Sequence, residues 1–337
     1  MAPENLIEFL QDPGAYPEKP GKISLVQTHI SWVFIGDENV YKLKKPVDFG
    51  FLDFTTLDKR KFYTEEELRL NKRFSPDVYL AVVPISGAGG TFAIGDSSNI
   101  VEYALKMRRI SEDHMLYRLL AQGKAGEEEL RRVGAHLAHV YGTIPSDDTS
   151  RPFGSLEVIV HNIVENFDQT EKYIGGPIAK RAYDSIKTWS MDFLKNKTSV
   201  FHDRVAQGCI KECHGDLHLH HICVDGPHIS VFDCIEFNER FRYGDVASDV
   251  AFLSMDLDYN GFTRLGNAFV EAYIKESDDR GLREVLKFYK VYRAYVRAKV
   301  TSFMLDDAGL DAATKATALH TARKYYDLAH EYISRED

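Results

Sequence analysis

From residue 23 to residue 45, apolar and polar positions alternate in short runs broken at Gly36-Asp37-Glu38. Successive side chains of a strand face opposite sides, so this pattern predicts strands in a meander. A further strand is predicted at 100–107, IVEYALKM, after the turn Gly87-Ala88-Gly89-Gly90. Between them lies LDKRKFYTEEELRLNKRFSP, rich in helix formers and closed by Pro76, which predicts one helix. Beyond about residue 110 the period becomes helical. Leu130, Val133, Leu137 and Val140 share one face, and Ile178, Ala182, Ile186, Trp189 and Phe193 share another. Helices are also predicted over 281–305 and 312–333. Residues 210–235 interrupt this helical region with two β-branched runs, HICV and ISVFD, around the turn Asp225-Gly226-Pro227, the pattern of a hairpin.

The order predicts an α+β chain: a small β-rich part over 1–110 and a larger helical part over 111–337. At 337 residues the chain exceeds the usual size of one core, so two lobes with a ligand cleft are expected. The 44% hydrophobic and 28% charged residues exclude the disordered and fibrous classes. A formal charge of -9 disfavours a broad nucleic-acid footprint. The first twenty residues lack the pattern of a secretory signal, and no apolar run is long enough to span a bilayer. A cytoplasmic protein without nucleic-acid or membrane partners is expected; its oligomeric state is not legible. Cys209, Cys213, Cys223 and Cys234 form no CxxC pair, and reduced, packed thiols are expected.

The segment CHGDLHLHHICVDGPHISVFDCIEFN carries the candidate chemistry. It puts Asp216 in a loop before one strand and Asp233 at the end of the partner strand, so a hairpin would bring the two carboxylates to one end of the ladder. Phosphoryl transfer requires little more than that: one carboxylate to orient the acceptor hydroxyl and take its proton, and oxygen ligands for a metal on the phosphates. The same segment holds His214, His218, His220, His221 and His228 beside Cys213 and Cys223. A zinc-dependent hydrolase using the histidines at 214–221 is therefore a competing chemistry.

HGDLH at 214–218 resembles the H-G-D-x-H catalytic loop of the aminoglycoside phosphotransferase and choline kinase superfamily, which has the protein-kinase-like fold. FDCIEFN at 232–238 is similar to its metal-binding segment, and RYGDVASDVAFL at 242–253 to the helix whose acidic residues brace the loop. NVYKLKKP at 39–46 resembles the strand whose lysine contacts the α- and β-phosphates. The resemblance implies an ATP- and Mg²⁺-dependent kinase for a small-molecule hydroxyl. Asp216 would be the base with His214 beside it in the catalytic loop, Asp233 the principal metal ligand, and Asp245 and Asp249 supports of the loop. A simple helix N-terminal charge competes for either of those two. Lys42, which shares a strand face with Lys44, is the implied phosphate lysine. Its partner is one of Glu65, Glu66 and Glu67, with Glu67 favoured. The turn at THISW lacks glycine, leaving backbone amides and the Ser31 hydroxyl to face phosphate. ALKMRR at 104–109, with Met107, would be the hinge that bonds adenine.

One position departs from the family pattern. H-G-D-x-H-x-x-N ends in an asparagine whose oxygen binds metal, whereas this chain has His221. Imidazole suits Mn²⁺ or Zn²⁺ better than Mg²⁺. Either the site works with one well-held metal, or His221 bonds the catalytic aspartate or a phosphate, or transfer is weakened or lost, to the point of a non-catalytic nucleotide-binding module; a preference for Mn²⁺ would mark His221 as a metal ligand. Glu236, Glu239, Asp256 and Asp258 either line an acidic acceptor pocket or are solvated charges. Tyr289, Tyr292, Arg293, Tyr295 and Arg297 are expected to pack in the core with snorkelling arginines. Members of the branch that this chain resembles can carry a second domain with a phosphate loop; no G-x-x-x-x-G-K-[ST] occurs here, which implies the kinase part alone.

Overall fold

A computed structural model describes residues 4–335. In chain order the elements are α1 (Glu4–Gln11), β1 (Ser24–Gln27), β2 (Ser31–Ile35), β3 (Asn39–Lys44), α2 (Leu57–Lys72), β4 (Tyr79–Ala88), β5 (Thr91–Ile94), β6 (Ile100–Arg108), α3 (Leu116–Ala121) and α4 (Glu127–Thr143). They continue with α5 (Leu156–Thr170), α6 (Lys180–Asn196), α7 (Thr198–Ala206), β7 (Ile210–Glu212), β8 (Ile222–Asp225), β9 (His228–Val231), α8 (Glu239–Arg242), β10 (Tyr243–Asp245), α9 (Val246–Tyr259), α10 (Thr263–Ser277), α11 (Leu282–Phe303) and α12 (Ala312–Ser334). The fold is the α+β, protein-kinase-like plan expected from the sequence. Two compact units divide it: one is the chain up to Gln122 with His220–Arg242, the other Gly123–Leu219 with the chain from Tyr243.

The first unit is built on an antiparallel sheet in the order β1-β2-β3-β6-β4-β5. Alternation along β3 sorts its side chains. Tyr41 and Leu43 join Leu6 and Leu10 of α1 in one apolar cluster, while Lys42 and Lys44 point at α2. Thr56 caps α2, its Oγ1 accepting from the Lys59 amide. The strand β4 escapes a propensity reading because Pro84 lies within it. Its carbonyl accepts from Gly95 N at 2.8 Å, so its missing N–H faces the same side, where β5 pairs only from Ile85 onward. The hairpin β8–β9 joins this unit through Ser75, whose Oγ donates to the Val231 carbonyl at 2.7 Å and accepts from its amide at 2.8 Å.

The second unit is helical around α9, in which every residue from Val246 to Leu257 is buried. α10 and α11 pack on it, and α4 packs on α10. The α4–α10 approach depends on Gly134, where a Cβ would come within 2.5 Å of the Phe269 carbonyl oxygen. All four cysteines are buried and unbridged. Among the described residues no helix is long and apolar enough to cross a membrane.

Candidate active site

In the first unit the inward face of α2 is polar. Arg60, Thr64, Glu67 and Asn71 recur at helical spacing and are all buried. Each has a specific partner. Arg60 Nε meets Glu102 Oε2 at 2.8 Å, the Thr64 hydroxyl donates to the Arg60 carbonyl, and Asn71 Oδ1 accepts from the Cys234 amide at 2.9 Å. Of the three candidate glutamates, Glu67 meets Lys42, with Oε1 2.7 Å from Nζ. Glu65 pairs with Lys61 at the surface, and Glu66 with Arg69 and Arg242.

Lys42 also lies 2.8 Å from Asp233 Oδ1. Burial opposes its charge, but Asp233 and Glu67 outweigh burial and hold its pKa well above that of a free lysine. Burial likewise opposes the Glu67 carboxylate, yet Lys42 and Lys44 together hold its pKa below the usual range. Both groups are therefore charged at neutral pH. Asp233 lies two residues beyond β9, not at the strand end expected from the sequence. Its φ of 67° is left-handed, a conformation that a non-glycine residue adopts only where its surroundings impose it. Here they do: its amide donates to Tyr79 Oη at 3.0 Å, and the next amide is the one bound by Asn71.

The other candidate residues of this unit each have their own surroundings. His221 Nε2 is 3.6 Å from Asp233 Oδ2. Met107 pairs in register with Val40 and packs on the cluster of Val78, Tyr79 and Leu105, which Phe232 also touches. The Ser31 hydroxyl is buried without a hydrogen-bond partner, and its amide donates to Thr28 Oγ1 at 3.0 Å. His220 is stacked on Tyr117, with ring centroids 4.2 Å apart.

In the second unit the HGD loop is held from behind. Asp249, fully buried on α9, accepts from His214 N at 2.7 Å through Oδ2 and from Gly215 N at 3.2 Å. Tyr141 Oη donates to the same carboxylate at 2.5 Å. Arg293 of α11 donates to the Gly215 carbonyl and to Ser248 Oγ, both at 2.9 Å, and approaches Asp249 at 3.3 Å. His214 is buried, with Nδ1 accepting from the Asp216 amide at 3.3 Å, and His218 Nε2 stands 3.4 Å from Asp216 Oδ2. Asp245 caps α9 through the Ala247 amide and takes a two-pronged bond from Arg204 at 2.8 and 2.6 Å. It is thus both a helix N-terminal charge and an internal anchor.

Two expectations change, while Glu239 is largely exposed, as a solvated charge would be. Glu236 is buried against Lys44, Asp256 Oδ2 accepts from the Leu219 amide, and Asp258 pairs with Lys290 and Tyr332. These carboxylates are neither solvated nor gathered in an acidic pocket, because each is committed to a partner inside its own unit. Tyr289 and Tyr295 do pack in the core, but Arg293 spends its guanidinium on the HGD loop instead of snorkelling to solvent. No local signal marks that role, since the partners lie 78 and 44 residues away along the chain.

Among known proteins, this fold is shared with small-molecule kinases, and part of the chain matches a phosphotransferase family model. Residues 212–288 match the model of the phosphotransferase enzyme family APH, the family that the motifs resemble. Uncharacterized proteins of Mycobacterium bovis and Mycobacterium tuberculosis are 29% identical over 298 residues, 87% of this chain and 57% of theirs, so the chain spans little more than half the length of these relatives. Among solved structures, a choline kinase from Cryptosporidium parvum aligns with a TM-score of 0.56 at 8% identity over 98% of this chain and 95% of its own. A choline/ethanolamine kinase family protein from Mesorhizobium loti aligns at 0.51 and 10% identity, over 98% and 99%. The GDP complex of aminoglycoside 2'-phosphotransferase-IIIa aligns at 0.51 and 12%, over 96% and 99%. At such identities the structural likeness carries the fold alone.

Proposed function

We propose that this chain transfers a phosphoryl group from ATP to a hydroxyl of a small molecule, a sugar, amino alcohol or aminoglycoside-like compound, in the cytoplasm. The observation that carries this reading is the Lys42 ammonium held between Glu67 at 2.7 Å and Asp233 at 2.8 Å. A lysine fixed by a helix glutamate and facing an acidic metal-binding segment is what phosphate binding in a kinase-like site requires.

Roles follow from chemistry. Lys42 binds the nucleotide phosphates, and Glu67 keeps it charged and aimed. Backbone groups around Met107 bond the adenine, and Ser31 belongs to the turn beside the phosphates. Asp216 orients the acceptor hydroxyl and takes its proton, in a loop that His214, Asp249 and Arg293 keep in shape and Asp245 supports from the head of α9. Asp233 offers carboxylate oxygens on a half-exposed side chain, which fit Mg²⁺, and the imidazole of His221 beside it fits Mn²⁺ as well. A divalent ion held there supplies positive charge against the phosphates.

The test is nucleotide consumption by the purified protein against a panel of sugars, amino alcohols and aminoglycosides, with ATP and GTP and with Mg²⁺ and Mn²⁺ in parallel. Turnover that falls by about 10²–10⁴-fold in Asp216→Ala is expected, since general-base catalysis contributes on that order. Nucleotide binding without turnover on any acceptor would favour a non-catalytic module. Stoichiometric zinc, with activity lost on its removal, would sink the kinase reading.

A further inference from the structure

Two residues beyond Lys42, on the same face of β3, stands a second lysine that the phosphotransfer reading does not use. Lys44 Nζ meets Glu67 Oε2 at 2.8 Å and bonds Glu236 Oε1 as well. Five charges thus form a chain, Asp233, Lys42, Glu67, Lys44 and Glu236, whose two ends lie three residues apart on one segment. Three carboxylates against two ammonium groups leave one negative charge over. The side-chain exposures show where it is available: 46% for Asp233 against 17% for Lys42, 7% for Glu236, 2% for Lys44 and 1% for Glu67.

Lys44 separates two tasks that one ammonium cannot perform together. Glu67 gives one oxygen to each lysine, so its carboxylate cannot rotate without losing a partner. Burial pushes the Glu236 pKa up, and the adjacent Lys44 favours its charged form. Without Lys44, Glu67 and Glu236 would compete for Lys42 and draw it inward, away from the phosphates. The segment behind Asp233 would also lose a fastening, although Asn71 would still hold the Cys234 amide and Arg242 Nη1 the Glu236 carbonyl at 3.0 Å.

We propose that Lys44 and Glu236 are positioning residues: by compensating each other and half of Glu67, they leave Lys42 directed at phosphate and the Asp233 charge directed at the divalent cation. This rests on the phosphotransferase reading above. The experiment measures Mn²⁺ binding by electron paramagnetic resonance with ADP present, and thermal unfolding, for the unsubstituted protein, Lys44→Met and the double variant Lys44→Met/Glu236→Met, at a temperature where circular dichroism shows each one folded. Lys44→Met is expected to lower the melting temperature, because it strands Glu236, and to weaken Mn²⁺ binding by about tenfold or more. The double variant removes both charges, so its melting temperature recovers while its Mn²⁺ affinity stays low. Unsubstituted-level Mn²⁺ affinity in either variant, or a double variant that does not fold, overturns the inference and leaves the pair a packing feature. Absence of both Mn²⁺ and ADP binding in the unsubstituted protein overturns the phosphotransferase reading itself, before any substitution is compared.

Discussion

Arg293 donates from Nη1 to the carbonyl oxygen of Gly215 at 2.9 Å, joining α11 to the residue immediately before Asp216. The same guanidinium bonds Ser248 and approaches Asp249, so one side chain holds both the loop and the helix behind it. Arg293→Ala is expected to cost about 2–4 kcal/mol of stability, because it strips a buried carboxylate of a charged partner. Arg293→Lys should recover only part of this, since an ammonium cannot reproduce the planar fork across three acceptors. Denaturant unfolding with turnover in parallel checks both. Turnover equal to that of the unsubstituted protein in Arg293→Ala would show that the loop keeps its shape without α11.

Glu67 sits between two lysines, and removing it leaves Lys42 to Asp233 and Lys44 to Glu236, with nothing on α2 to aim either ammonium. Glu67→Ala is expected to destabilise by about 1–3 kcal/mol, the cost of lost buried hydrogen bonds to charged groups, and to weaken nucleotide binding. Glu65→Ala, two residues earlier and paired only at the surface with Lys61, is expected to leave the melting temperature unchanged. Thermal unfolding with and without nucleotide distinguishes them. Equal effects of the two would show that the helix needs charge in general, not a carboxylate at one position.

What the sequence made legible, and what it did not, follows from how far apart the partners lie. Lys42, Asp216 and Asp233 stood out because their chemistry is packed into short segments whose spacing has few other uses. The meander of β1–β3 was legible because period-two alternation is a local property. On the inner face of α2 the resemblance singled out Glu67, but Arg60, Thr64 and Asn71 were not legible, because the stripe is polar and an apolar periodicity is blind to a face buried by ion pairs and hydrogen bonds. Lys44 with Glu236, and Arg293 with Gly215, join positions 192 and 78 residues apart, and only the fold brings them together.

Burial also sets the thiol chemistry. It pushes the Cys223 thiol up to about 11 and the Cys209 thiol up to about 12. Only the thiolate is nucleophilic, so a raised pKa lowers the reactive fraction at every pH below it. At pH 8 native protein is expected to react with an alkylating reagent far more slowly than after denaturation, with the native rate rising only as pH approaches 11. Mass spectrometry of time points in native and denaturing buffer checks this. Fast native labelling of Cys223 would mean that the hairpin β8–β9 opens readily.

Asp233 offers the sharpest separation of stability from activity. Its φ of 67° costs an ordinary side chain about 1–2 kcal/mol, little for asparagine and nothing for glycine. Substitution by Asn, Gly or Ala removes the same charge from Lys42, and Gly and Ala also remove both oxygens from any bound cation while Asn leaves one neutral oxygen, so all three are expected to lower phosphotransfer steeply. Their melting temperatures should nevertheless diverge, Asp233→Ala lowest and Asp233→Gly and Asp233→Asn above it, because only alanine meets the full backbone penalty. Differential scanning fluorimetry and the phosphotransfer assay read the two quantities independently. If alanine proved as stable as glycine, the left-handed turn would not persist without the carboxylate. Lys42 would then be holding the backbone as much as the backbone holds Asp233.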